Sequence, residues 1–247
     1  MFVNSLFLAT NPFFEAYLHS DFLGKLIIIG LIILSICTWI IMVHKVWITY
    51  QARKNSDNFN QAFQNKKSTP LDLELNERYI INPFFEIYSV LKNHTIEILN
   101  KNRLFGGSKI DKDDIVSFLS PSDIEFVEAQ LYSAISNQVK HLEKNLYILS
   151  TIVSLGPFLG LLGTVWGILT TFSELQSAAG GATNQMVIGG LSLALATTVL
   201  GLIDAIPALI GYNYLKNSIR DFQTEMEGFS TEILSSVEMQ YRKVDVQ

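Results

Sequence analysis

Three long apolar runs interrupt an otherwise polar chain. Leu26 to Val43 is uncharged and bounded by Lys25 and His44; Asn145 to Ser173 holds no charged residue; Met186 to Tyr214 carries a single one, Asp204. An α-helix needs roughly 20 apolar residues to cross a bilayer, so each run predicts a membrane span, over 22–45, 146–173 and 186–214. The expected fold is all-α: an integral membrane protein with three transmembrane helices and long helices extending into the cytoplasm.

The stretches between the runs also predict helices. Trp47 to Phe63 continues the first span, and a break follows at NKKSTPLDLE. Asn82-Pro83 opens a further helix, Asn as cap and Pro in the first turn, with Phe84, Tyr88, Leu91 and Ile98 on one face. After a second break at FGGSKIDKDD, a helix opens at Pro121–Ser122, with Glu125 placed to complete a capping box. Val127, Leu131, Ile135, Val139, Leu142, Leu146 and Leu149 then recur at helical spacing, predicting one helix that runs unbroken into the second span. In the tail, Leu215, Ile219, Phe222, Met226, Phe229 and Ile233 form a heptad seam weakened by Gly228. Periodicity leaves its partner open between a hairpin within the subunit and an oligomeric collar.

Basic residues set the orientation, because cytoplasmic loops are enriched in them. Only Lys25 precedes the first span and none lies in 174–185, whereas 46–145 holds most of the Lys and Arg, and the tail adds Lys216, Arg220, Arg242 and Lys243. The N-terminus is therefore expected in the periplasm and the C-terminus in the cytoplasm. The expected parts are a periplasmic amphipathic segment over 1–21, a cytoplasmic helical loop over 46–145, a short periplasmic loop over 174–185 and a cytoplasmic helical tail over 215–247. Trp39, Trp47, Tyr50 and Tyr147 fit interfacial belts against membrane lipid. The N-terminus has no basic n-region followed by a small-residue cleavage site, so no removable signal peptide is expected.

Composition removes several function classes. The net charge of −5 disfavours nucleic acid. Cys37 is the one cysteine, and His19, His44, His94 and His141 are scattered, so no metal site is expected. No nucleophile–base constellation or phosphate loop appears, which predicts no catalytic residues, no cofactor and no enzyme.

The second and third runs differ from simple anchors. Gly156, Gly160, Gly163 and Gly167 fall on one helical face of the second, with Pro157 one turn inside and Thr164 near the middle. Gly190, Ala194, Thr197, Gly201, Asp204 and Ala208 make a similar stripe on the third, beside Thr198 and ahead of Pro207. Small faces let helix backbones approach closely in lipid, where contact rather than hydrophobicity drives association. The glycines therefore predict helix packing, and the prolines predict kinks.

These runs, LGPFLGLLGTVWGI and TT-x3-LID-AIPALIGYN, resemble the TolQ/ExbB family of energy-transducing membrane proteins, distant relatives of the four-span flagellar stator protein MotA. HSDFLGKLIIIGLIILSICTWIIMVHK matches the family's first helix, and the resemblance covers about Phe14 to Tyr214. It implies a ring-forming oligomer in the bacterial inner membrane, usually a homopentamer, around two copies of a TolR/ExbD-like single-span partner. Proton flow would drive motion passed to a TonB- or TolA-like protein, for outer-membrane transport or envelope integrity. Thr164 and Thr198 match the family's second- and third-helix threonines, which would face the partner's aspartate. Each hydroxyl can donate and accept a proton, or bond back to its own helix.

One position departs from the family. Its acid five residues before the third-helix threonine is Leu193 here, and Asp204 stands where the family usually has a small apolar residue. Eleven residues are three turns nearly in phase, so the acid returns on the same face roughly 16 Å deeper. A charged Asp near a helix centre costs about 2.5–3.5 kcal/mol, and somewhat less nearer an end. Thr164, Thr197, Thr198 and Asp204 are the candidate proton path. The alternatives are an Asp204 solvated or paired near the inner interface, and a non-conducting scaffold that stabilises a single-span partner.

Overall fold

The computed structural model describes residues 12–67, 69–73, 81–106, 118–177 and 184–242. The chain is an all-α membrane protein with six helices among these residues: α1 (Pro12–His19), α2 (Phe22–Gln64), α3 (Pro83–Gly106), α4 (Pro121–Glu143), α5 (Leu146–Ser177) and α6 (Asn184–Tyr241). Three of them, α2, α5 and α6, are long and apolar enough to cross a membrane. The first eleven residues of the amphipathic segment, and residues 178–183 of the short loop, lie outside the described residues.

Two compact units divide the chain. One comprises Met1–His44 and Asn145–Tyr214, the other Lys45–Lys144 and Leu215–Gln247. The long helices α2 and α6 each contribute to both.

In the first unit, α5 and α6 run antiparallel along their small faces. A side-chain carbon added at Gly156 would meet Gly201 O at 3.1 Å; at Gly160 it would meet Thr197 O and Thr198 Cα at 3.0 Å; at Gly167 it would meet Gly190 O at 2.9 Å. Each glycine is thus at backbone contact with the opposite helix, as close packing in lipid requires. The partner of the glycine face is the third span of the same subunit. The first span lies along α6 as well, since Gly24 abuts Leu193 at one end and Gly211 abuts Met42 at the other. Large apolar residues face outward, among them Phe158, Val165, Leu169 and Phe172 of α5 and Leu195, Ile203 and Ile210 of α6. Both α5 and α6 remain helical through Pro157 and Pro207.

The second unit is built on aromatic packing. Leu215, Ile219, Phe222, Met226, Phe229, Ile233 and Val237 of α6 are all buried. Phe84 stacks on Phe229 at 4.3 Å and on Phe222 at 6.0 Å between ring centroids, while Phe59 and Phe63 meet Phe229 edge-on. The heptad seam is therefore covered within the chain by aromatic residues of α2 and α3, rather than by the 127–149 stripe that a hairpin of the two stripes would supply. Tyr88 donates to Pro70 O at 2.8 Å, and burial pushes its phenol up to about 12. The tail is pinned where Leu119 N donates to Tyr241 O at 2.8 Å.

Asn82 caps α3 as expected, accepting from Phe85 N at 3.2 Å. The capping box of α4 is instead Ser120 with Asp123, because Pro121 occupies the first helical position and sets the box two residues earlier. Burial alone would raise the Asp123 carboxyl, but hydrogen bonds from Ser120 and Asn102 hold it below the usual range. The unbroken helix from 121 into the second span is corrected too. Helix α4 ends at Glu143, and Asn145 takes φ 67°, a left-handed conformation that asparagine tolerates and that stops a helix. Lys45 Nζ donates to the freed carbonyl of Leu142 at 2.9 Å.

Candidate functional site

The candidate residues all lie in the first unit, on or beside the seam of α5 and α6. Thr197 is fully buried, its hydroxyl within reach of Ala194 O (2.9 Å), Leu193 O (3.2 Å) and, across the seam, Gly160 O (3.4 Å). Thr198 is half-buried and donates across the seam to the same Gly160 O at 3.2 Å. Gly160 thus gathers two hydroxyls of α6 because it has no side chain to keep them away. Thr164, also half-buried, donates to Leu161 O of its own helix at 2.7 Å. The seam continues through Gly163, which fits beneath Thr197, and Gly190, which fits beneath Thr171.

Asp204 is 3% exposed. Its Oδ1 lies 3.2 Å from Thr38 Oγ1 on the first span, and the same hydroxyl lies 2.9 Å from Leu34 O. Asp204 Oδ2 is buried with no hydrogen-bond partner among the described residues. Among the described residues, the neighbour of the carboxyl is a neutral threonine and not the Lys or Arg that the sequence leaves open. Leu193, three turns away, is buried against Ala16, Ile28 and Ala196. Position 193 is thus closed by hydrocarbon, while a carboxyl is buried further along the same helix.

Sequence reasoning missed two residues. Thr38 sits in an apolar run where threonine usually bonds to its own helix, and nothing local marks its contact with residue 204. Asp21 is both the cap of α2, accepting from Gly24 N at 2.9 Å, and the acceptor for Trp166 Nε1 at 2.7 Å. The Asp two residues before Leu23-Gly24 is a legible cap signal; its tie to α5 is not.

Residues 108–228 match the MotA/TolQ/ExbB proton channel family. The chain is 28% identical over 231 residues to the Tol-Pal system protein TolQ of Haemophilus influenzae, covering 92% of this chain and 94% of that protein. It is 31% identical over 219 residues to the biopolymer transport protein ExbB of Pseudomonas putida, covering 88% of this chain and 61% of that protein. With ExbB of Aquifex aeolicus it shares 44% identity over 99 residues, 40% of this chain and 66% of that one.

Proposed function

Starting from the chain's membership of the MotA/TolQ/ExbB proton channel family, to which it belongs, we propose that it is the proton-conducting subunit of an energy-transducing complex in the bacterial inner membrane. In this reading five copies form a ring around a TolR/ExbD-like single-span protein, with the N-terminus in the periplasm and the C-terminus in the cytoplasm. Proton passage drives motion that is handed to a TonB- or TolA-like protein. The proton path runs along Thr164, Thr197, Thr198 and Asp204.

The observation that carries the reading is the buried Asp204 in a membrane helix whose seam is lined by threonine hydroxyls. Ionisable residues inside membranes are costly, and they commonly mark ion pathways. A hydroxyl held at a carbonyl can turn to take and give a proton.

The test is proton flux in vesicles holding the ring with its single-span partner. Thr164→Val with Thr198→Val is close in shape and keeps assembly, but removes both hydroxyls; flux should fall at least tenfold. An assembled double variant that conducts like wild type leaves the scaffold reading, in which the subunit stabilises its partner without conducting.

A further inference from the structure

The contacts of Asp204 contain a proton count. Thr38 Oγ1 has one proton and two acceptors in range, Leu34 O at 2.9 Å and Asp204 Oδ1 at 3.2 Å. If the carboxyl is ionised, the hydroxyl must serve it. One carboxylate oxygen then has one hydrogen bond, and Oδ2 is left bare in an apolar bundle. If the carboxyl is a neutral acid, Asp204 donates to Thr38 Oγ1 and Thr38 donates to the nearer carbonyl. Every proton then has an acceptor, and the lone Oδ2 is a neutral carbonyl oxygen. An unpaired buried charge costs far more than an unpaired neutral acceptor.

Among the described residues, no other group offsets the charge. The Thr38 hydroxyl is the one polar group acting on the carboxyl among the described residues, and no ion pair of the described residues includes Asp204. The α5 contact next to this position in sequence is apolar, Gly156 beside Ala205; toward the far end of the span, Gly211 meets Met42 of α2 and lies near Leu149 of α5.

We propose that Thr38 and Asp204 form a proton-binding pair inside one subunit, with Asp204 held as a neutral acid donating to Thr38 and Thr38 donating to Leu34. When the proton leaves, it passes from the carboxyl to a water molecule. The Thr38 hydroxyl then turns from Leu34 O to the new carboxylate, and Leu34 O keeps its backbone helix bond. Thr38 is a positioning residue: it holds the acid toward the first span in one state and solvates the anion in the other. The pair deepens the proposed proton path and rests on it only for what the proton is used for.

The experiment is infrared difference spectroscopy of the purified full chain at neutral pH. Wild type should show the carbonyl stretch of a protonated carboxylic acid, and isotope-labelled aspartate should shift that band. Asp204→Asn should lose it. Thr38→Val, which cannot accept the acid's proton, should move it to higher frequency, and Thr38→Ser should restore it. Thr38→Ala serves in place of valine if valine prevents folding. No aspartate-sensitive acid band in wild type, or a band unmoved by both Thr38→Val and Thr38→Ala, overturns the pair. Proton flux through the assembled complex separates the two readings. A band that behaves as described, with Asp204→Asn conducting like wild type, keeps the pair and removes Asp204 from the proton path.

Discussion

The α5–α6 seam of the first unit and the interior of the second bury opposite kinds of residue. In the first unit, the buried positions on the seam are Gly, Ala and Thr with one Asp, and large side chains of α5 and α6 such as Phe158, Val165 and Ile203 point outward, although Ile28, Leu31 and Leu193 are buried elsewhere in that unit. In the second, Phe59, Phe63, Phe84, Tyr88, Phe222 and Phe229 fill the interior, and charged pairs such as Lys67–Glu232 lie outside. The solvent explains the inversion. Water drives large apolar area inward at about 25 cal/mol per Å². Lipid offers no such gain, so helices associate by close backbone contact, which small residues permit. One chain therefore carries two rules for what a buried residue should be, and α6 obeys both in turn.

The sharpest break in this comparison is to put a large residue on the small seam. Gly160→Leu sets a side chain against Thr197 O and Thr198 Cα, both backbone atoms that cannot move aside independently. The expected result is loss of the folded membrane unit within the subunit, before any ring forms. Native mass spectrometry and detergent-solubilised yield report it; normal assembly would show that α5 and α6 separate without cost.

The converse break removes a large residue from the aromatic interior. Phe229→Ala deletes the ring that Phe59, Phe63 and Phe84 all touch. A cost of about 3–5 kcal/mol is expected for a large-to-small change of this kind. Hydrogen exchange should rise across α3 and the tail of α6 while the apolar part of α5 stays protected.

The smallest effect sharpens the contrast at the surface. The Glu232 carboxylate accepts from Lys67 Nζ at 2.6 Å and Gln64 Nε2 at 2.9 Å, and these bonds hold its titration below the usual range. A depressed carboxyl contributes stability above its ordinary value near 4.5, which is lost as pH falls through the lower folded value. The pair is exposed, so the loss should stay below about 1 kcal/mol. Acid unfolding of the second unit should be shallower in Glu232→Gln.

Much of this architecture was legible in the chain. The three apolar runs follow from length and charge alone, because a bilayer demands a minimum helix of hydrocarbon. The glycine and heptad stripes follow from helical phase, and Asn82-Pro83 declares its cap. The capping box was read two residues late because Ser120 and Ser122 are both plausible caps, and only the placement of Pro121 in the first turn chooses between them. The break at Asn145 escaped because asparagine enters the left-handed region without a glycine to announce it.

The partners of those faces were decided by tertiary structure. A stripe states which side of a helix is buried and says nothing of what covers it, so the glycines of α5 and the seam of α6 acquired their neighbours only on folding. Thr38 and Asp204 stand far apart in the chain and meet because the first and third spans share one register. A shift of a single residue turns a helix by about 100° and would separate them. The sequence determines that an acid lies within a membrane helix; the packing of α2 on α6 determines that a lone hydroxyl meets it.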